Sequence, residues 1–166
     1  SYWQCRPMTD YESSIVSPAD ARVIVGFLKE FSTLLLKGKF FEYDELLGAA
    51  KTDWREAFRG GDFVVCRLTP EKYHYNHSPA AGIVRDFYEN DGDYHSCNPG
   101  AVITMATPYS KNKRVVTILD TDVPGGTNVG LIAMIEVVAL MVGDVVQRVS
   151  QAEYRDPRPI ESGMFL

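Results

Sequence analysis

Residues 66–82 read "CRLTPEKYHYNHSPAAG" and set His74 and His77 three positions apart, in a chain whose one other histidine is His95. Imidazole titrates near neutral pH, so a close pair suits general acid–base chemistry. A metal pair and a pair of hydrogen-bonded loop histidines without a chemical task are the other readings. The metal reading asks for a helix that puts both rings on one face. Pro79 and the Ser78-Pro79 turn oppose that helix, and no cysteine or carboxylate follows at zinc spacing, so no metal is expected.

The chain that must hold this pair has 166 residues, of which 45% are apolar and 23% charged, which fits one compact domain over residues 1–166 with a single core. Its net charge of -5, without a run of like charges, argues against a nucleic-acid partner bound through a basic surface and gives no general pull toward anionic lipid. Cys5, Cys66 and Cys97 include no C-x-x-C pair, so neither a disulfide framework nor a zinc ribbon is indicated, and a reduced intracellular protein is expected. The opening "SYWQCRPMTD" lacks the basic start and apolar stretch of a secretory leader, and a first residue of serine fits a processed or trimmed chain. The apolar stretch 129–146, "VGLIAMIEVVALMVGDVV", contains Glu136 and ends in Gly143-Asp144. A charge at mid-bilayer costs ~2.5–3.5 kcal/mol, and the Val and Ile content favours buried strand over a membrane helix.

Short strands punctuated by Gly, Pro and Asn-Asp turns dominate the pattern. "SSIVS", "ARVIVGFL", "STLLLKG", "DFVVCRL", "AGIVRDFYE", "KRVVTILDT" and "NVGLIAMIEVV" all read as strands, the last two joined as a hairpin through "DTDVPGGTN". One helix is expected in "YDELLGAAKTDWREAFRGG", where Leu46, Leu47, Ala50, Trp54 and Phe58 recur at helical spacing, with a break near Gly48. The fold class is therefore α+β, a mainly antiparallel, β-sandwich-like core with one principal helix. The tail 153–166 reads as a polar, proline-bearing loop until its last residues, "GMFL", for which the chain shows no obvious apolar partner.

The blocks "VSPADARV", "KGKFFEYDELLG", "FRGGDFVVCRLTPEKYHYNHSPAAG", "CNPGAV", "NKRVVTILDT" and "ALMVGDV" occur in an order and spacing that resemble the phosphatidylserine decarboxylase family. In that family a proenzyme cuts itself before a serine. The short α chain so released begins with a pyruvoyl group, the covalent cofactor, whose ketone condenses with the substrate amine and takes up the electrons left by departing CO2. The resemblance implies that Asp20 and His77 orient and activate that serine, and that His74 protonates the carbanion after decarboxylation. Standing alone, Asp20 in "SPAD" would read as a turn residue bonding its own backbone. With the resemblance, Phe40, Phe41, Tyr73 and Tyr75 could wall an apolar substrate pocket, although such aromatics are more often core residues. Tyr94, His95 and Cys97 precede "NPGAV" and are read as loop residues near that pocket. Three departures from the family pattern stand at Ala21, at Ala80-Ala81 and at Gly143-Asp144. Ala21 replaces a glycine, so its turn is expected to differ.

No serine of this chain follows a glycine. By the resemblance it corresponds to the larger (β) chain, 153–166 leading toward the cleavage site, with the pyruvoyl cofactor on a short partner chain from the same precursor that also completes the core. The implied reaction converts phosphatidylserine to phosphatidylethanolamine and CO2, at a membrane surface (the inner or cytoplasmic membrane in a bacterium), by a homodimer of heterodimers. Two alternatives are a soluble cytoplasmic decarboxylase of a free amino acid such as tryptophan, and a non-catalytic relative acting as a binding module.

Overall fold

The structure is a computed structural model that describes residues 9, 11, 13–28, 33–36, 39–69, 71–96, 108–139, 143–148 and 158–166. Its strands are β1 (Arg22–Phe27), β2 (Thr33–Leu36), β3 (Lys39–Glu42), β4 (Asp62–Arg67), β5 (Ile83–Asn90), β6 (Arg114–Asp120) and β7 (Leu131–Val137). Among the described residues three short helices, α1 (Tyr43–Leu47), α2 (Thr52–Ala57) and α3 (Pro108–Lys111), accompany them. All strand pairs are antiparallel: β1 with β4, β2 with β3, and β5-β6-β7 as a three-stranded sheet. The α+β class and the hairpin through "DTDVPGGTN" hold. "SSIVS" is instead extended chain outside a ladder, and β3 was not expected as a strand.

β6 organises the core. Its sequence "RVVTILD" is rich in β-branched residues, and Val115, Val116 and Ile118 are wholly buried. One face of its sheet carries Val116 and Ile118, which cluster with Leu28 and Leu47 and pack against Trp54 and Phe58 of the helical segment and Phe63 and Val65 of β4. The other face carries Val115, Thr117 and Leu119, and Leu119 clusters with Val84 and Ala80. A register shift between Val84 and Asp86 lets Val84 and Phe87, an odd number of residues apart, both reach this second face.

The expected helix is split. α1 stops at Gly48, whose φ of 98° ends the helix in the left-handed region that glycine tolerates, and α2 begins four residues later. Leu46, Leu47, Trp54 and Phe58 face the core as their spacing predicts, whereas Ala50 is exposed. The carbonyls at the end of α1 are satisfied by side chains from the sheet. Buried Arg114 donates to the Leu46 carbonyl at 2.7 Å, to that of Glu45, and to those of Ser110 (3.0 Å) and Asn112 (3.1 Å). Tyr88 Oη donates to the Leu47 carbonyl at 2.9 Å, and burial pushes its phenol up to about 12. α2 is tied to β5 through Asp86, which accepts from Lys51 Nζ and Trp54 Nε1, both at 2.7 Å.

Within the stretch 129–146, Leu131–Val137 forms β7, and among the described residues no helix is long and apolar enough to cross a membrane. The last residues of the chain do find partners within it, contrary to expectation. Leu166 and Gly82 exchange backbone hydrogen bonds of 3.1 and 2.8 Å, and Val84 N–H donates to the Met164 carbonyl at 2.8 Å. Phe165 thereby bridges Ile83 in antiparallel fashion, while Met164 and Leu166 pack on the Val84–Leu119 cluster. A tetrapeptide with alternating side chains and free backbone groups pairs readily with the start of β5, a long-range contact no local pattern reveals. Residues 153–157 lie outside the described residues.

Arg114→Met would leave several buried carbonyls without donors. It is expected to lower stability by about 3 kcal/mol in denaturant unfolding, since each orphaned buried polar group costs about 1–3 kcal/mol.

Candidate active site

The β1–β4 ribbon ends with Arg22 opposite Arg67, and at that end the chain enters β1 from Asp20 and leaves β4 toward the histidines. The pairing continues beyond the ribbon. Val16 N–H donates to the Pro79 carbonyl at 2.8 Å, and His77 N–H donates to the Pro18 carbonyl at 2.9 Å. These two bonds lay 16–18 along 77–79, so the segment leading into the Asp20 turn and the loop carrying His77 are held by shared backbone bonds. Ala21 is not among the residues with positive φ, so the turn is built without the left-handed backbone that a glycine would permit; among described non-glycine residues Asn128 adopts it.

His77 is half-buried, and its ring stacks on Tyr73 with centroids 5.8 Å apart and planes 19° from parallel. Tyr73 Oη and His77 Nε2 share a hydrogen bond of 3.1 Å, in which the imidazole tautomer decides which of the two donates. Burial pushes the His77 imidazole below its ordinary value, so the neutral ring, able to accept a proton, prevails at neutral pH. His74 is exposed, as is Tyr75, whose ring lies 5.3 Å from that of Tyr73. Tyr73 therefore belongs to the histidine as much as to a pocket wall. The i, i+4 spacing of Tyr73 and His77 was the available signal.

Asp20 is half-buried and lines a polar hollow of about 160 Å³ with Arg22, Arg67, Thr69, Glu71 and Lys72. The Thr69 hydroxyl, bonded to Glu71 at 2.5 Å, holds that carboxyl below the usual range. Asn76, between Tyr75 and His77, donates from Nδ2 to Glu136 Oε1 on β7, linking the histidine loop to the three-stranded sheet. In the sequence Glu136 registers only as a charge interrupting an apolar stretch.

The exit of the loop is fixed as well. Ala81 N–H donates to Thr127 Oγ1 at 2.8 Å and its carbonyl accepts from Thr127 N–H at 3.0 Å, so the Ala80-Ala81 departure sits against the β6–β7 connection. A Cβ at Gly82 would run into the Asp120 carbonyl oxygen, which explains the glycine there. His95 is held elsewhere: Asn112 Oδ1 accepts from its backbone N–H at 2.9 Å and Asn112 Nδ2 donates to its carbonyl at 2.7 Å. Its ring lies 3.2 Å from the Asp93 carboxylate. Cys66 is half-buried with its thiol pushed up by burial, which disfavours the reactive thiolate. The side chains of Phe40 and Phe41, whose backbones lie in β3, and all of Cys5 and Cys97 lie outside the described residues.

A family model described as phosphatidylserine decarboxylase matches residues 3–165. A phosphatidylserine decarboxylase proenzyme of Nitrosococcus oceani is 35% identical over 144 residues, covering 86% of this chain and 44% of that protein. One from Saccharophagus degradans is 31% identical over 170 residues, covering 95% and 57% respectively. Phosphatidylserine decarboxylase proenzyme 3 of Schizosaccharomyces pombe is 30% identical over 145 residues, covering 87% of this chain and 14% of its own length. The chain thus spans about half the length of these bacterial relatives. The match extends across the Asp20 turn, the histidine loop and the sheet that joins them, and the chain belongs to the phosphatidylserine decarboxylase family.

Proposed function

We propose that this chain is the larger (β) chain of a pyruvoyl-dependent phosphatidylserine decarboxylase, matured by self-cleavage of a common precursor. The observation that carries it is the backbone ladder that holds the segment leading into the Asp20 turn against the His77 loop in a chain that matches the family along nearly its whole length. The relatives' designation as proenzymes supports maturation by cleavage.

The residues present fit a pyruvoyl-bearing partner. Thr117 Oγ1, on the second face of the three-stranded sheet, is buried without a hydrogen-bond partner among the described residues, a polar position that a group from another chain can satisfy. When bound, the pyruvoyl ketone supplies the electron sink for loss of CO2. The chain's own residues handle protons. In the tautomer whose Nε2–H donates to Tyr73, His77 Nδ1 is free of that bond and accepts the serine hydroxyl proton, and Asp20 stabilises the imidazolium that results. Exposed His74 delivers a proton to the carbon that has lost CO2. Arg22, Arg67 and Lys72 give the hollow beside Asp20 the chemistry to hold a phosphodiester, which favours a phospholipid over a free amino acid. The outward face of the β1–β4 ribbon, with Val23, Val25, Phe27 and Val64 exposed, suits a lipid surface. On this reading the short α chain completes the sandwich-like core, and the enzyme works as a homodimer of heterodimers at a membrane.

Borohydride reduction of the mature protein with phosphatidylserine is expected to leave the small chain heavier by one reduced lipid adduct in intact-mass analysis. An adduct with tryptophan alone would shift the assignment to the amino-acid decarboxylase, and absence of any small chain would favour the binding module. His77→Ala should accumulate as uncleaved precursor on a denaturing gel. His74→Ala should cleave but lose roughly 100-fold or more in turnover, the usual worth of a positioned acid. The double variant Arg67→Glu, Lys72→Glu should raise KM for phosphatidylserine vesicles by about tenfold with kcat little changed, as expected for lost phosphate contacts.

A further inference from the structure

Glu136 has no part in the proton chemistry above, yet it is an unusual place for a carboxyl. It lies in β7 directly across from Val115, which is wholly buried, and so on the second face of the sheet. Oε1 accepts from Asn76 Nδ2, while Oε2 is buried with no donor among the described residues. The same face carries Thr117, 2% exposed, whose cross-strand partner Met134 is two residues from Glu136 along β7. Thr117 Oγ1 is likewise buried without a partner among the described residues.

Two acceptors without donors, on one sheet face and tied to the loop between the histidines, call for a ligand rich in N–H groups. A buried carboxylate is satisfied best by a cation that donates hydrogen bonds. Arg114 is engaged by carbonyls of α1, α3 and the turn before β6, Lys113 pairs with Glu89 and Asp144, and Arg85 pairs with Asp120. None of these pairs involves Glu136. The decarboxylase reading supplies a cation from outside, because its substrate carries a primary ammonium.

We propose that Glu136 Oε2 receives the ammonium group of the substrate and takes one proton from it, with Asn76 orienting the carboxyl toward the histidine loop. The step balances: R–NH3+ and the carboxylate become R–NH2 and the carboxylic acid, so a positive and a negative charge vanish together and the nitrogen gains the lone pair it needs as a nucleophile. Mutual neutralisation suits a site where burial already pushes the Glu136 carboxyl above the usual range, the Asn76 amide pulling the other way. This inference rests on the decarboxylase reading.

Glu136→Gln tests it in the complete precursor, since a glutamine oxygen can still accept from Asn76 while the charge is gone. Self-cleavage, which uses no substrate amine, is expected to proceed. The variant should lose roughly 10- to 100-fold in kcat/KM for phosphatidylserine, the worth of one charged hydrogen bond. It should also lose retention of phosphatidylethanolamine in neutral vesicles while keeping its retention of vesicles containing phosphatidylglycerol, which has no amine. Unchanged kcat/KM with unchanged retention of both lipids, or equal loss of both, would overturn the assignment. Should Glu136→Gln not accumulate, Glu136→Asp keeps the charge but withdraws it. The expected result is then a weakened preference for the amine lipid, and an unaltered preference would overturn the proposal. A wild-type enzyme that retains phosphatidylethanolamine but does not turn over phosphatidylserine would sink the decarboxylase reading alone.

Discussion

A strand buried on both faces is the constraint from which the rest of this molecule follows. β6 has no side that water can reach at Val115, Val116, Ile118 or Leu119, so it requires a neighbour on each edge and a cover on each face. β5 and β7 take the edges. The helical segment with Phe63 and Val65 covers one face, and the chain's last residues cover part of the other. Arginine and asparagine side chains enter this interior with partners prepared for them. Arg114, at the head of β6, fills the carbonyl end of α1, and Asn112 just before it bonds the backbone of His95 and Val138. The orphan atoms of Thr117 and Glu136 stand out against so complete a pairing elsewhere in the sheet.

The candidate site is assembled differently. Its groups sit on loops, and their precision comes from the rigid elements at the loop ends. The ribbon fixes where both loops depart, the Thr127–Ala81 bonds fix where the histidine loop returns, and Asn76 pins its middle to β7. Within that frame one imidazole is stacked and half-buried and the other is exposed. Two rings three residues apart thus differ in burial.

The sequence made much of this legible where local chemistry decides. Alternation and β-branching reveal β1, β4, β5, β6 and β7, because such residues pack well on a pleated, partly buried surface. Gly48 marks the break between α1 and α2, because a left-handed residue ends a helix. The histidine pair is visible from spacing alone, and family resemblance adds Asp20. What escaped depends on distant partners. "SSIVS" alternates like a strand but lies along a loop. "GMFL" has the pattern of a loop end but docks on β5, and Glu136 reads as an interruption rather than as the anchor of Asn76. Each is settled by a tertiary contact whose other half lies far along the chain.

The bonds from Val16 to Pro79 and from His77 to Pro18 also carry a kinetic meaning. They join segments separated by the whole β1–β4 excursion, so the entropy of closing that long loop must be met before either bond can form. Helices α1 and α2 can form early from local contacts, but the segment before Asp20 and the His77 loop are joined only after the ribbon has paired. A chain built this way keeps these two loops apart until most of its topology is in place, making their junction a late event in folding.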